Sequence, residues 1–183
     1  MNKFQSFKLR DLIILEKGKR TESKENEKYP IFGAGEKETG YSENWNNDGR
    51  ITITRRGTVG KVYKREFKHF VTEASFIVEV KNRAILEDYL YEWLKNEEYL
   101  IKQLKIPALI TELNEKAFLN LEIKVPDLER QRKVVYVLKS YRYELQEQEK
   151  IIKKQIEDLE KCRNGILDEI IEGVIKNEKN WMF

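Results

Sequence analysis

The sequence predicts an α+β protein, a mixed α/β domain followed by a long C-terminal coiled-coil helix. Two contrasts carry that prediction. Up to Pro126, short β-branched and aromatic runs alternate with glycines and polar loops, and one stretch has helical spacing. Beyond Pro126 there is no further proline, and Leu138, Leu145, Ile152, Leu159 and Ile166 recur every seven residues. The expected organisation is therefore 1–126 as one domain and 127–183 as a helix. A length of 183 residues suits one domain with an appendage or two small domains. The charged fraction of 37% exceeds the usual quarter and points to long solvated surfaces.

Within the first part, Phe7 to Leu15 reads as a short helix or strand leading to a turn at Gly18. Thr21 to Lys28 is a polar loop. Tyr29-Pro30-Ile31-Phe32-Gly33 is extended, because proline pushes the preceding residue out of the helical region. Ser42 to Gly49 is a second polar loop. Arg50 to Arg56 alternates β-branched residues as a strand does, Gly57-Thr58-Val59-Gly60 turns the chain, and Lys61 to Lys64 resumes extension, which together make a hairpin. Ala74 to Val80 is another strand. Leu86, Leu90, Trp93, Leu94, Ile101 and Leu104 share a helical face, and Leu119 to Val125 forms the last strand before Pro126.

The terminal helix has a second seam, less regular, through Tyr141, Ile156, Cys162 or Arg163, and Ile170. From Tyr141 to about Lys176 it would run ~54 Å at 1.5 Å per residue. A domain of roughly 125 residues is only about 30–40 Å across, so the stripe needs a partner helix. Leu138, Leu145, Ile152, Ile156, Leu159, Ile166 and Ile170 are the expected dimerisation residues. Gln148 and Gln155 on the seam would loosen a tight two-stranded coil and set its register. Cys162, the one cysteine, permits no internal disulfide and is expected to be a small buried hydrophobe.

Net charge is +3, but it is unevenly placed. Arg50 to Lys68 holds seven basic residues and one acid, a local excess of +6, whereas Tyr141 to Glu172 carries −3. Arg55, Arg56 and Lys61 flank the hairpin turn, where Gly57 and Gly60 would let the backbone approach a partner. Arginine suits phosphate oxygens and guanine edges. Residue types alone leave two readings open, a DNA contact and a solvated hairpin with surface charge. Phe32, Tyr41, Asn44, Trp45, Asn46 and Asn47 form an aromatic and amide cluster able to meet bases or phosphates, with Trp45 itself expected in the core.

Catalytic parts are missing from the sequence. His69 is the only histidine, lacks zinc co-ligands and any nucleophile motif, and is expected on the surface or half-buried. Glu157, Asp158 and Glu160 sit among lysines as a solvated face. Walker, dinucleotide, kinase and amino-methyltransferase motifs are absent. The N-terminus has no apolar signal region and no run approaches a membrane span, so the expected location is cytoplasmic.

The order of segments carries a resemblance. Lys8-Leu9-x-Asp11-Leu12, the Gly18-Lys19 turn, Tyr29-Pro30-Ile31-Phe32-Gly33, Gly40-Tyr41, Arg56-Gly57-Thr58-Val59-Gly60-Lys61-Val62, Tyr89-Leu90 and Leu121-x-Ile123-x-Val125-Pro126-x-Leu128-x-x-Gln131 before a long helix resemble Type I restriction-modification specificity subunits. The usual Pro-Pro-Leu-x-Glu-Gln of that family is here Pro126-Asp127-Leu128-Glu129-Arg130-Gln131. Asp127 remains a good N-cap residue.

The resemblance implies a target-recognition domain at 1–126, a helix for dimerisation and for a methyltransferase subunit, and no catalysis in this chain. Family members carry two such domains and two helices; this sequence shows one of each, like a half-subunit. The implied partners are double-stranded DNA, a methyltransferase (modification) subunit, and a second copy or another half-subunit. S-adenosylmethionine would belong to the methyltransferase, with no cofactor here and no metal. The implied DNA-binding residues are Lys19, Arg20, Tyr41, Arg55, Arg56, Thr58 and Lys61. Two other classes stay open: a coiled-coil decoy or regulator that occupies a methyltransferase subunit without reading DNA, and a nuclease built from scattered carboxylates.

Overall fold

The computed structural model describes residues 4–24, 27–106 and 111–180, with side chains up to Ile171. In chain order the elements are β1 (Gln5–Lys8), α1 (Leu9–Leu12), β2 (Ile13–Lys17), β3 (Tyr29–Phe32), β4 (Gly40–Ser42), β5 (Asn47–Asp48), β6 (Ile51–Thr54), β7 (Val62–Lys64), β8 (Lys68–Val71) and β9 (Ser75–Val80). There follow α2 (Glu87–Asn96), α3 (Glu98–Gln103), β10 (Lys105–Ile106), β11 (Glu112–Leu113), α4 (Glu115–Leu119), β12 (Glu122–Val125) and α5 (Leu128–Asn180). This is the α+β architecture with a long terminal helix. Two compact units result, Met1–Tyr136 and Val137–Phe183.

The first unit is built on two four-stranded sheets. One has the order β2-β9-β6-β7, all antiparallel. The other is β4-β3-β8-β5, with β3 and β8 parallel. Central strand β6 is buried at all four residues, so its threonines need internal partners. Thr52 donates to Tyr63 O at 3.4 Å, and Thr54 donates to Thr58 O while accepting from Lys61 N. The first sheet packs Ile51, Ile53, Phe76 and Val78 against Leu9 and Leu12 of α1, Leu90 and Leu94 of α2, Ile101 of α3 and Phe118 of α4. Burial of each such side chain contributes about 1.5–3 kcal/mol. Strand β1 pairs with β12, Gln5 opposite Val125, so the two ends of the domain lie side by side.

Several expectations are refined. Phe7 to Leu15 is strand, one helical turn and strand in succession. The single helix expected from Leu86 to Leu104 is two, divided at Glu97, whose backbone (φ −89, ψ 6) is not helical. Strands β5, β8, β10 and β11 and helix α4 had no clear periodic signal.

The second sheet holds a buried polar pair. His69 is fully buried, not near the surface, and accepts at Nε2 from Asn47 Nδ2 at 3.1 Å. Its Nδ1 therefore carries the proton and donates to Phe67 O at 2.7 Å. Asn47 Nδ2 also donates to Arg50 O, joining loop and strand. Phe32 and Phe67 enclose the imidazole, with ring centroids at 5.5 and 5.6 Å. Burial pushes the His69 pKa below its ordinary 6.5.

Helix α5 begins as the Pro-x-Leu-x-x-Gln segment foretells. Asp127 Oδ1 accepts from Arg130 N at 3.0 Å as an N-cap. Gln131 is fully buried and fastens three strangers: Oε1 accepts from Leu86 N, and Nε2 donates to Ala84 O and Pro126 O, each at 2.8 Å. With Val135 also buried, the first compact unit runs past Pro126 to Tyr136. In the second unit the aliphatic repeat is uncovered: Leu145 is 59%, Ile152 53%, Leu159 69% and Ile166 53% exposed. Cys162 is likewise exposed, and among the described residues nothing covers the seam on which it lies.

Replacing Gln131 with Leu strands one buried N–H and two carbonyls, and should lower unfolding free energy by about 3 kcal/mol in urea titration. His69 makes a second prediction. A histidine with a depressed folded pKa stabilises fully above the unfolded value near 6.5, and that stability is lost as pH falls below it. Stability should drop by up to about 1.4 kcal/mol per pH unit in that window, and His69→Gln should remove this slope.

Candidate nucleic-acid interface

Five charged side chains meet where the β6–β7 turn crosses the link between β8 and β9. Glu112 divides its carboxylate between consecutive arginines: Oε2 accepts from Arg55 at 2.9 Å and Oε1 from Arg56 at 2.5 Å. Glu73 accepts from Arg20 Nε at 2.8 Å and lies 3.6 Å from Arg56. Lys19 pairs across a single bridge with Thr72, next to Glu73. The structure thus gathers Lys19, Arg20, Arg55 and Arg56 in one place. The hydrogen bond from Arg56 holds the Glu112 carboxyl below the usual carboxylate range, helped by the charges of both arginines. Glu73 is lowered in the same sense, chiefly by the hydrogen bond from Arg20.

These arginines are not equivalent. The Arg55 side chain is 11% exposed, donates also to Glu73 O at 3.0 Å, and lies over the Phe76 ring at 5.5 Å. Its side chain faces inward, whereas the sequence reading places it among the DNA contacts. Arg56 is 33% and Arg20 87% exposed, so both can reach a partner. Ion pairs at such exposure hold geometry more than they stabilise.

The glycines of the turn also act internally. Gly60 has φ +86, and a Cβ there would stand 2.9 Å from Lys102 N. Gly57 has φ +72 and its Cβ would lie 3.3 Å from that of Ala34. The close approach they permit is to α3 and to the loop after β3, rather than to an outside partner. Thr58 donates to Ala34 O and fixes the same loop. Lys61 Nζ meets Glu98 Oε2 at 3.0 Å yet stays 54% exposed, and this hydrogen bond raises its pKa. Burial pushes the Glu98 carboxyl up, but hydrogen bonds from Lys95, Val62 N and Lys61 outweigh it and the net shift is down.

Beside the turn lies a cleft of about 320 Å³, lined by Gly57, Thr58 and Lys61 together with Lys102, Lys105 and Thr111. The last three were not singled out from sequence, and nothing in their local pattern marks them. Tyr41, on edge strand β4 and 43% exposed, has no hydrogen bond to the arginine network among those described. Trp45 is 42% exposed rather than in the core, with Lys68 Nζ 4.5 Å from its ring centroid. The loop before β5 turns the indole outward, where a cation covers one face. Arg65 is sandwiched between Phe32 at 3.8 Å and Tyr63 at 4.6 Å. Among the described residues no cluster of three His, Cys, Asp or Glu side chains could hold a metal, and no helix is long and apolar enough to cross a membrane.

A family model described as the Type I restriction modification DNA specificity domain matches residues 1–158. The putative type I specificity subunit S.MpnORF201P of Mycoplasma pneumoniae is 27% identical over 143 residues, covering 74% of this chain and 59% of the relative. The type I restriction enzyme MpnII specificity subunit of the same organism is 27% identical over 143 residues, covering 74% and 43%. Among solved structures, the type I S subunit from M. genitalium superposes with a TM-score of 0.71 at 20% identity, over 79% of this chain and 40% of that one. The HsdS subunit from Thermoanaerobacter tengcongensis gives 0.60 at 17% identity, over 77% and 38%. The chain therefore spans about half the length of the curated relatives and two-fifths of these structures.

If Arg55 holds the turn, Arg55→Ala should lower unfolding free energy by about 2 kcal/mol in urea titration, since it deprives Glu112 and Glu73 O of a charged donor.

Proposed function

The chain belongs to the family of Type I restriction modification DNA specificity domains, and we propose that it reads duplex DNA for a restriction-modification assembly without catalysing a reaction itself. The observation that carries this reading is the exposed cationic edge at the hairpin turn. Lys19, Arg20 and Arg56 meet there from two segments, with Arg20 and Arg56 placed by Glu73 and Glu112, and Lys61, further along the same turn and paired with Glu98, is also exposed. Carboxylates that hold arginines at a set spacing preorganise them for phosphate oxygens, which replace one anion by another at little cost in side-chain freedom. Thr58 and Tyr41 remain proposed contacts at the flank, whereas Arg55 acts by holding Glu112.

The uncovered aliphatic stripe supports the other half of the reading. Leu138, Leu145, Ile152, Ile156, Leu159, Ile166 and Ile170 are each more than a third exposed. An antiparallel pair of these helices would hide the stripes and relate two reading domains by a two-fold axis. Such a dimer reads inverted half-sites at a fixed gap, since protein symmetry is mirrored in the site. The methyltransferase subunit would dock on the same helices and supply S-adenosylmethionine chemistry.

Two measurements test this. In anisotropy titrations with duplex DNA over a range of salt, Arg20→Ala and Arg56→Ala should each make the log–log salt slope shallower by about one. Unchanged slopes would remove these residues from the interface. Sedimentation equilibrium should give a dimer that dissociates on dilution and is lost in Ile152→Asp; a concentration-independent monomer would contradict the pairing.

A further inference from the structure

The cleft beside the turn holds an unbalanced charge that the arginine network does not explain. It draws its lysines from three places in the chain: Lys61 after the turn, Lys102 on α3 and Lys105 on β10. Two structural devices bring them together. Gly60 has no side chain, so the backbone of Lys102 can stand against the turn at a distance where a Cβ would clash. Glu112 ties β11 to Arg55 and Arg56, and β11 pairs with β10 at Lys105↔Leu113. Lys61 is balanced by Glu98. Among the described residues neither Lys102 nor Lys105 meets a carboxylate. Like charges gathered in a recess repel, and the recess concentrates their field on an entering anion. Thr58 and Thr111 add hydroxyl groups to the wall, though Thr58 already donates to Ala34 O and can offer only its lone pairs or a rearranged proton.

We propose that this cleft seats a phosphate of the DNA backbone, bound by the ammonium groups of Lys61, Lys102 and Lys105. The inference rests on the DNA-reading function proposed above and deepens it. It places a backbone anchor on the opposite flank of the turn from Arg20, so that the duplex is gripped on both sides of Arg56. A seat of this kind fixes orientation and register but carries no sequence information. A free phosphorylated small molecule would satisfy the same chemistry; the duplex is favoured because the cleft continues into the arginine edge through Thr111-Glu112 and Arg56-Gly57.

The experiment compares the full chain with Lys102→Gln/Lys105→Gln and with a control, Lys37→Gln/Lys116→Gln, which removes the same charge elsewhere on the domain. Each is titrated with duplex DNA over a range of salt after a melting curve shows that it is folded. The expected result is a log–log slope shallower by about two for the cleft variant, equally on specific and unrelated sequences, with a much smaller change in the control. A steep wild-type slope left unchanged in the cleft variant overturns the seat and leaves the DNA-reading function standing. Equal changes in cleft and control variants also overturn it, since net charge alone would then explain the loss. A wild-type chain with no salt-dependent DNA binding sinks both. Inorganic phosphate shifting the Lys102 and Lys105 resonances, with duplex affinity the same in all three proteins, would assign the cleft to a small ligand instead.

Discussion

The sharing of one carboxylate between neighbouring arginines organises this domain's charged edge. Glu112 lies on a two-residue strand far along the chain from Arg55 and Arg56, and its two oxygens hold both. Arg55 is thereby drawn inward over Phe76, while Arg56 stays at the surface. The same contact fixes the β10–β11 ribbon against the turn, which brings Thr111 and Lys105 to the cleft. Without it the turn would keep its glycine geometry but lose the wall that faces it. The interaction is worth little as a surface ion pair and much as a positional constraint, because partial burial of Arg55 leaves it no alternative anion in water.

A second constraint anchors the terminal helix. Gln131 uses its amide to tie the start of α5 to the loop before α2 and to the end of β12. The helix is thus anchored in the domain core by one polar residue, and from Val137 onward the described aliphatic side chains of its repeat are exposed. The substitution of the family's glutamate by Arg130 does not disturb this. Asp127 caps the helix through the Arg130 backbone N–H, and its other carboxylate oxygen lies 3.4 Å from the Arg130 guanidinium.

What the sequence revealed follows from the range of the interactions concerned. The hairpin, the extended Tyr29–Phe32 segment and the heptad helix depend on local alternation, turn residues or a seven-residue period, and each is legible along the chain. The burial of His69 is not, because it needs Asn47 from another strand to donate to the imidazole's one free lone pair. The inward turn of Arg55 is hidden for the same reason: its partner is a glutamate on β11, which has no periodic signal. Two short strands and the break at Glu97 are likewise tertiary effects that override local propensity. Trp45 and Cys162 show the opposite error. Both are apolar types that usually lie inside, and both are exposed here, one under a lysine and the other on the exposed seam of α5.

Together these features describe a domain whose surface cations are pre-set by carboxylates and a helix whose described aliphatic repeat is exposed. The proposal that joins them is that two copies present their domains with two-fold symmetry. The most direct test is selection of the intact chain, with its methyltransferase subunit present, against a pool of randomised duplexes followed by sequencing. The account predicts enrichment of two identical half-sites in inverted orientation at one constant spacing. Enrichment of a lone asymmetric site, or of half-sites at variable spacing, would contradict it.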